Sequence, residues 1–407
     1  MTSSPTLVVV GASLAGAKAA EGAREAGYAG RIVLIGDEAG VPYERPPLSK
    51  AVLRGEASLD VAHVHPDGFY AEHDIELIGD RVIALDPDAR RVVLDGGDRI
   101  AFDTLVLATG AAPRRLRVPG ADLAGVHVLR TADDALRLRD AICTATRVAV
   151  VGAGWIGSEV AASARQMGAD VVLIDPARVP LHRVLGDEVG GVFHALHADH
   201  GVTLRMGRGV TQICGRQSVE AVELDDGRLE AADVVVTGVG VTPQVDLAEI
   251  AGLRTDNGIV VDEHLETSVE GIFAAGDVAN AWHPHYQQHL RVEHWANALN
   301  QGITAGRNAA GNHDAYMRLP YFFSDQYDLG LEYVGHASID DAVIIRGDRH
   351  SREFIAFWHR DGTITAAMNV NVWDVVDDLK AIVEARSPID LALLTDPAVQ
   401  IGELIPG

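Results

Sequence analysis

The sequence predicts an α/β protein built from two copies of one β-α-β unit and a closing α+β segment. Three observations predict it. A short apolar run, a glycine-rich turn and a small-residue helix follow one another twice. Glycine is abundant, at 42 of 407 residues, which suits sharp strand-to-helix turns. Beyond about Leu319 the chain changes to aromatic-rich segments of alternating polarity. A chain of this length exceeds what one hydrophobic core organises, so two or three domains are expected.

The first copy opens with the buried-strand run Thr6–Val10. Gly11-Ala-Ser-Leu-Ala-Gly16 follows, then a helix through about Ala26, then a second strand at Arg31–Ile35 with Asp37 and Glu38 just past its end. The second copy repeats the order: strand Arg147–Val151, turn Gly152-Ala-Gly-Trp-Ile-Gly157, a helix to about Met167, and strand Asp170–Ile174 ending at Asp175. The chemistry explains the spacing. The first glycine permits the tight turn, the middle one lets backbone approach a pyrophosphate, and the third lets helix and strand pack closely. The helix start offers free N–H groups and a partial positive charge to phosphate. The acid beyond the second strand accepts hydrogen bonds from a ribose. One such turn is weak evidence of a ligand. Two in the right context, each with its acid about 25 residues on, predict two dinucleotide sites in Rossmann-like domains. Ser13 replaces the middle glycine of the first copy, which crowds the pyrophosphate and offers it a hydroxyl.

Three further strands feed glycine turns: Thr104–Ala108 into Thr109-Gly110, Asp233–Thr237 into Gly238-Val-Gly240, and the Gly271–Gly276 stretch into Asp277. The tail reads as short strands at Glu332–Gly335, Ala342–Ile345, Glu353–Phe357 and Thr363–Asn369. An amphipathic helix from about Val372 to Ala385 closes it.

Charge and cysteine content exclude several functions. Lys and Arg number 34 against 58 Asp and Glu, a net charge of −24, which opposes nucleic-acid phosphates and anionic lipid. Cys143 and Cys214 lie far apart, with no C-x-x-C, so neither a disulfide framework nor a thiolate metal site is signalled. The Leu7–Ala20 stretch mimics a signal-peptide core, yet no Lys or Arg precedes it and its glycines serve the turn. Export is therefore not expected, and a cytoplasmic location is. No apolar run approaches the ~20 residues needed to span a bilayer. His283, His285, His289 and His294 suggest a metal at first sight. Only His285 and His289 have i, i+4 spacing and no acid pairs with them convincingly, so no metal is expected.

These motifs, together with Pro42-Tyr-Glu-Arg-Pro-Pro-Leu-Ser-Lys50, Ala108–Arg114, Val292–Asn297 and Tyr321–Asp328, resemble the bacterial NADH-dependent ferredoxin reductases of oxygenase systems. That family shares the glutathione-reductase-type fold with two dinucleotide domains. The resemblance covers essentially the whole chain. It implies a discontinuous FAD domain (residues 1–112 and 241–318) with an inserted NADH domain (113–240) and a C-terminal α+β domain (319–407). It implies FAD contacts from Gly11, Ser13, Leu14, Ala15, Gly16, Asp37, Arg45, Lys50, Val82, Ala108, Thr109, Gly110, Arg130, Asp277, Glu293, His294 and Trp295. NADH contacts are implied for Gly152, Gly154, Ile156, Gly157, Glu159, Asp175, Arg183 and Gly240. Catalytic roles fall to Lys50, Glu159 and Trp295.

Pro46 and Pro47 hold the preceding backbone extended and point Lys50, whose charge would stabilise the anion that develops as hydride reaches the flavin. A Lys50–Glu159 contact is expected. Asp277 would take hydrogen bonds from the ribityl chain, and Trp295 would lie beside the flavin as part of the route to the acceptor or as plain packing. Asp175 would accept from a free 2′-hydroxyl and repel a 2′-phosphate, favouring NADH, although Arg178 is close enough to blur that preference and Arg178 and Arg183 could instead hold the pyrophosphate. No cysteine stands where disulfide-reducing relatives carry their pair, so electrons leave from the flavin itself toward a 2Fe-2S ferredoxin. Arg114, Arg115 and Arg117 form a candidate basic patch for that partner. An oxidase or quinone reductase of the same fold, and a binding protein resembling apoptosis-inducing factor, are the alternatives. Monomer and homodimer are both open.

Overall fold

A computed structural model describes residues 4–405. The chain divides into two compact units, one formed by residues up to 45 with 60–112 and 241–320, the other by 46–59, 113–240 and the segment from 321 onward.

The first unit is built on a parallel five-stranded sheet. Its strand order is Ile272–Ala274, Thr104–Leu107, Thr6–Val10, Arg31–Gly36 and Ile75–Gly79. The central strand is buried from Leu7 to Val10 because helices or sheets cover both faces of a parallel sheet, which explains its uninterrupted apolar run. The helix Leu14–Glu25 packs on the helix Trp295–Ala309. Their backbones approach so closely that a Cβ on Gly306 would sit 1.9 Å from the Ala19 carbonyl oxygen. An antiparallel three-stranded sheet (Val82–Asp86, Arg91–Leu94 and Arg99–Ala101) is inserted before the strand Thr104–Leu107.

The second unit carries the second parallel sheet, ordered Thr203–Met206, Asp170–Asp175, Arg147–Val151, Val234–Thr237 and Val126–His127. It also holds an antiparallel sheet ordered Tyr321–Gln326, Leu329–Gly335, Thr363–Val370, Glu353–Arg360 and Ala342–Asp348. Trp155 from the second nucleotide helix meets Phe322 at 4.6 Å between ring centroids and Phe193 at 6.2 Å. These rings pack the helices Trp155–Gln166 and His182–Asp199 against the antiparallel sheet, in one core with Leu185, Val189 and Leu196.

The two β-α-β units and the antiparallel tail agree with the sequence reading. The closing helix differs, running Val376–Ala385 instead of starting at Val372. Asn371 and Asp374 both adopt left-handed backbone (φ 49° and 62°), which stops the helix from extending toward its N-terminus. The helix His182–Asp199 was not foreseen. Its apolar spacing is interrupted at Gly186, where φ is +74° and two helical pieces meet at a kink. His285 and His289 do not share a helical face. His289 lies on the strand Gln288–Leu290, which pairs with Ala279–His283, and His285 falls in the connection. Among the described residues no group of three or more His, Cys, Asp or Glu is placed to hold a metal ion. No helix of the described residues is long and apolar enough to cross a membrane.

His197, fully buried on the helix His182–Asp199, places Nε2 3.1 Å from Gln326 Oε1 and Nδ1 3.3 Å from the Tyr327 hydroxyl. Burial pushes its pKa down to about 4, the Gln326 hydrogen bond opposing and nearby His200 and His194 adding to the fall. The imidazole is neutral in the fold, whereas an unfolded chain protonates near pH 6.5. The unfolded state therefore binds more protons between these values. Its contribution to stability is complete above pH 6.5 and is lost as pH falls toward 4, about 3 kcal/mol in all. Unfolding by urea across pH 4–7 should show this decline, and His197→Gln should flatten it. A variant curve parallel to wild type would contradict the assignment.

Candidate active site

The two nucleotide turns use the same crowding. At Gly11 (φ +113°) a Cβ would lie 2.1 Å from the Ala108 carbonyl oxygen, and at Gly152 (φ +103°) one would lie 2.3 Å from that of Gly238. Gly16 and Gly157 press equally close, each 1.9 Å from the carbonyl oxygen of its turn's first glycine. Neither position admits a side chain. Gly154 is different: a Cβ there meets nothing within 4 Å, so the turn opens onto space at the residue where a phosphate would approach. The helices that follow start at Leu14 and at Trp155, and neither has a side-chain cap, which leaves helix-start amides for an anion. Both turns thus fit a dinucleotide.

In the first unit Ser13 donates weakly to the Tyr43 carbonyl at 3.4 Å. Asp37 is exposed; its neighbour Glu38 is the acid that is engaged, accepting from the Tyr43 hydroxyl and pairing with Arg45 at 3.0 Å. Arg45 is held charged by Glu38, Tyr43 and Asp277 against the opposing effect of burial. Leu14 and Ala15 are buried in the helix start, and Val82 opens the antiparallel sheet, also buried. Ala108 is buried, Gly110 has φ +70°, and the Thr109 hydroxyl donates to Gln244 O at 2.8 Å. Asp277 sits in the short turn Gly276–Val278. His294 directly precedes the helix that begins at Trp295, without a side-chain capping bond, and exposed Glu293 pairs with Arg291 at 2.6 Å. Burial raises the pKa of the Glu44 carboxyl, while the Trp295 side chain and Lys18 draw it down. Glu44 lies inside the motif quoted above, yet its partner comes from far along the chain.

In the second unit Asp175 accepts from Ala153 N and from Ala177 N, both at 2.7 Å. It fastens the glycine turn to the strand end and keeps a further lone pair on each oxygen for a ribose. Arg178 pairs with Asp187 at 2.5 Å, so its charge is already engaged. Arg183 and Ile156 are exposed, and Gly240 has φ +96°. The Arg130 amide donates to Asp134, beside the capping box that Thr131 and Asp134 form.

The contact expected between Lys50 and Glu159 is present at 2.7 Å, with side chains 15% and 6% exposed. Two hydroxyls complete the shell. Ser49 Oγ donates to Glu159 Oε2 at 2.5 Å and Ser324 Oγ donates to Oε1 at 2.7 Å. Pro46–Ser49 forms a 3-10 turn that brings Ser49 and Lys50 to the helix Trp155–Gln166. Ser163 donates to the Ser49 carbonyl at 2.6 Å and fixes that turn. Ser324 stands on an edge strand whose Phe322, Ser324 and Gln326 face inward. Asp325, pointing the other way, has its pKa raised by burial and by Glu159, with Lys50 opposing. Sequence reasoning missed Ser49 and Ser324. Both lie in the stretches that carried the resemblance, and the alternation of Tyr321–Gln326 was the available signal.

Comparisons agree with this geometry. Residues 5–302 match the pyridine nucleotide-disulphide oxidoreductase family and residues 321–405 match the reductase C-terminal domain. The ferredoxin–NAD(+) reductase component of an anthranilate 1,2-dioxygenase system from Burkholderia cepacia is 40% identical over 98% of both chains. Putidaredoxin reductase from Pseudomonas putida is 36% identical over 100% of this chain and 98% of its own. A solved ferredoxin reductase from Rhodopseudomonas palustris superposes with a TM-score of 0.95 at 36% identity, covering 98% of this chain and 100% of that one. The chain belongs to the pyridine nucleotide-disulphide oxidoreductase family. Its cofactors are FAD and NAD(H).

Two outcomes follow from these contacts. Glu159→Gln keeps the shape but leaves Lys50 without its counter-charge; NADH-driven flavin reduction in stopped flow should slow about 10-fold or more, since small misplacements cost that much, while Ser324→Ala should slow it less. Unchanged rates would remove Glu159 from the site. With Asp175 free to take a ribose hydroxyl, kcat/KM for NADH should exceed that for NADPH by about 10-fold or more; equal values would contradict the assignment.

Proposed function

We propose that the chain is an NADH:ferredoxin oxidoreductase that passes electrons singly to a 2Fe-2S ferredoxin feeding an oxygenase. The observation that carries this reading is the pair of dinucleotide turns in a chain whose only cysteines are Cys143 and Cys214, neither of which lies in a turn or in the helix that follows it. The turns supply a donor site and a flavin site; the missing thiol pair leaves no dithiol step. FAD, when bound, accepts hydride from NADH and releases electrons one at a time. Residues 1–112 and 241–318 would hold FAD, 113–240 would hold NADH, and 319–407 would complete the enzyme. One relative named above is the ferredoxin–NAD(+) reductase component of a dioxygenase system, and one solved neighbour, at a TM-score of 0.95, is a covalent putidaredoxin reductase–putidaredoxin complex.

The chain's own residues do the following. The turns at Gly11 and Gly152 bind pyrophosphate through helix-start amides. Arg45 and Asp277 orient the flavin nucleotide, and Asp175 selects the ribose. Glu159 holds Lys50 as a fixed positive charge that stabilises negative charge developing on the ring. Ser49 and Ser324 keep the Glu159 carboxylate from turning away. The enzyme is placed in the cytoplasm, where NADH and ferredoxin are available.

Anaerobic NADH should bleach the visible flavin bands of the purified protein without added thiol. In a cytochrome c assay, a 2Fe-2S ferredoxin should raise NADH turnover about 10-fold or more over oxygen alone. Equal turnover with and without ferredoxin would favour the oxidase reading instead.

A further inference from the structure

A cleft of about 550 Å³ opens in the second unit on the far face of the strand that carries Ser324. Tyr321, Phe323 and Trp373 give it aromatic walls, and Asp325, Glu332, Asp374 and Asp377 give it four carboxylates. Strand register accounts for the arrangement. Phe323 pairs with Glu332 and Glu332 with Asn369, so the three side chains stand in one row on one face. Glu332 is fixed there by the Tyr321 hydroxyl at 2.7 Å and by Asn369 Nδ2 at 3.0 Å. Asp377 pairs with Lys380, but Asp325 and Asp374 have no ion-pair partner among the described residues.

Two observations go beyond a cluster of acids. Asn369 is fully buried, and its Oδ1 accepts no hydrogen bond among the described residues, an unmet acceptor on the face that floors the cleft. Trp373 is 54% exposed at the cleft, so an aromatic face stands open to a group that enters it. Aromatic faces and carboxylates together recognise one kind of group, a cation that donates several hydrogen bonds, as a guanidinium does.

We propose that this cleft seats an arginine or lysine side chain of the iron–sulfur partner, so that the enzyme selects a ferredoxin carrying a basic residue beside its docking face. The proposal rests on the reading of the chain as a ferredoxin reductase. The position supports a partner over a free cation. Asp325 of the cleft wall interacts electrostatically with Lys50 and Glu159, so the cleft adjoins the pair assigned to hydride transfer, where an electron acceptor has to approach. The sign is opposite to that of the exposed Arg114, Arg115 and Arg117, so a partner reading both surfaces needs charges of both kinds.

The test uses the FAD-loaded enzyme with Asp374→Asn and Asp377→Asn combined. Asparagine tolerates the left-handed backbone at position 374, and neither residue belongs to the machinery described above. NADH-to-ferricyanide turnover should be unchanged. The KM for the 2Fe-2S ferredoxin that wild type reduces fastest, read through cytochrome c, should rise about 5- to 30-fold, the loss of one or two charge contacts in an interface. Agmatine, at ionic strength matched with NaCl, should inhibit ferredoxin reduction competitively in wild type and not in the variant. An unchanged or lowered KM with intact ferricyanide turnover overturns the proposal alone. Agmatine binding without a change in KM assigns the cleft to a free cation and also overturns it. A wild type that reduces ferricyanide but no ferredoxin removes the proposed function, and this inference with it.

Discussion

The second unit depends on one carboxylate. Glu159 is 5% exposed and accepts from Lys50, Ser49 and Ser324. A buried charge is stable only when its lone pairs are met, since desolvation costs several kcal/mol and one missing partner exposes most of that cost. The three donors come from two segments far apart in sequence, residues 49–50 and residue 324. Their convergence therefore constrains much of the unit. The Pro46–Ser49 turn has to lie against the helix Trp155–Gln166, and the strand Tyr321–Gln326 has to keep its register. A slip of one residue would turn Ser324 outward and bring Asp325, a second carboxylate, toward Glu159.

The paired turns show how one geometry serves two ligands with small changes. Gly11 and Gly152 are pressed by a carbonyl oxygen from the neighbouring strand's end, and Gly16 and Gly157 by their own turns. Those four positions are set by packing inside the protein. The middle position is set by the ligand instead, because Gly154 touches nothing. This explains why serine is tolerated at position 13 while the flanking glycines are retained. The Ser13 side chain extends into ligand-facing space and has reached the Tyr43 carbonyl.

Local patterns were legible in the sequence; long-range partners were not. The buried runs Leu7–Val10 and Val148–Val151 and the glycine spacing define their strands and helices within about thirty residues each. The Lys50–Glu159 pair was accessible because both residues lie in recognisable motifs. Ser49 and Ser324 were not, since a serine hydroxyl gives no periodic signal and its value depends on a carboxylate more than a hundred residues away. Asp37 and Glu38 stand side by side after the same strand, and composition cannot say which one faces inward; Tyr43 and Arg45 engage Glu38. The helix His182–Asp199 was obscured because it begins at a left-handed Leu181 and is broken at Gly186, so its apolar spacing shifts phase. The start of the last helix was misplaced for a related reason, the left-handed Asn371 and Asp374 being invisible to hydrophobic periodicity.

The strand Tyr321–Gln326 joins the stability of the unit to the geometry of its site. Ser324 and Gln326 share the inward face, two residues apart. Ser324 serves Glu159, and Gln326 is anchored by His197 from the helix His182–Asp199. Only a neutral imidazole suits that position, because a buried cation there would have no counter-charge, and burial keeps it neutral down to about pH 4. Protonation would fall on Nδ1, against the Tyr327 hydroxyl, while Nε2 went on donating to Gln326, so the cost of acid there is the buried uncompensated charge and not loss of the Gln326 bond. Stability and pre-organisation draw on the same hydrogen bonds, so a change that relaxes one relaxes the other.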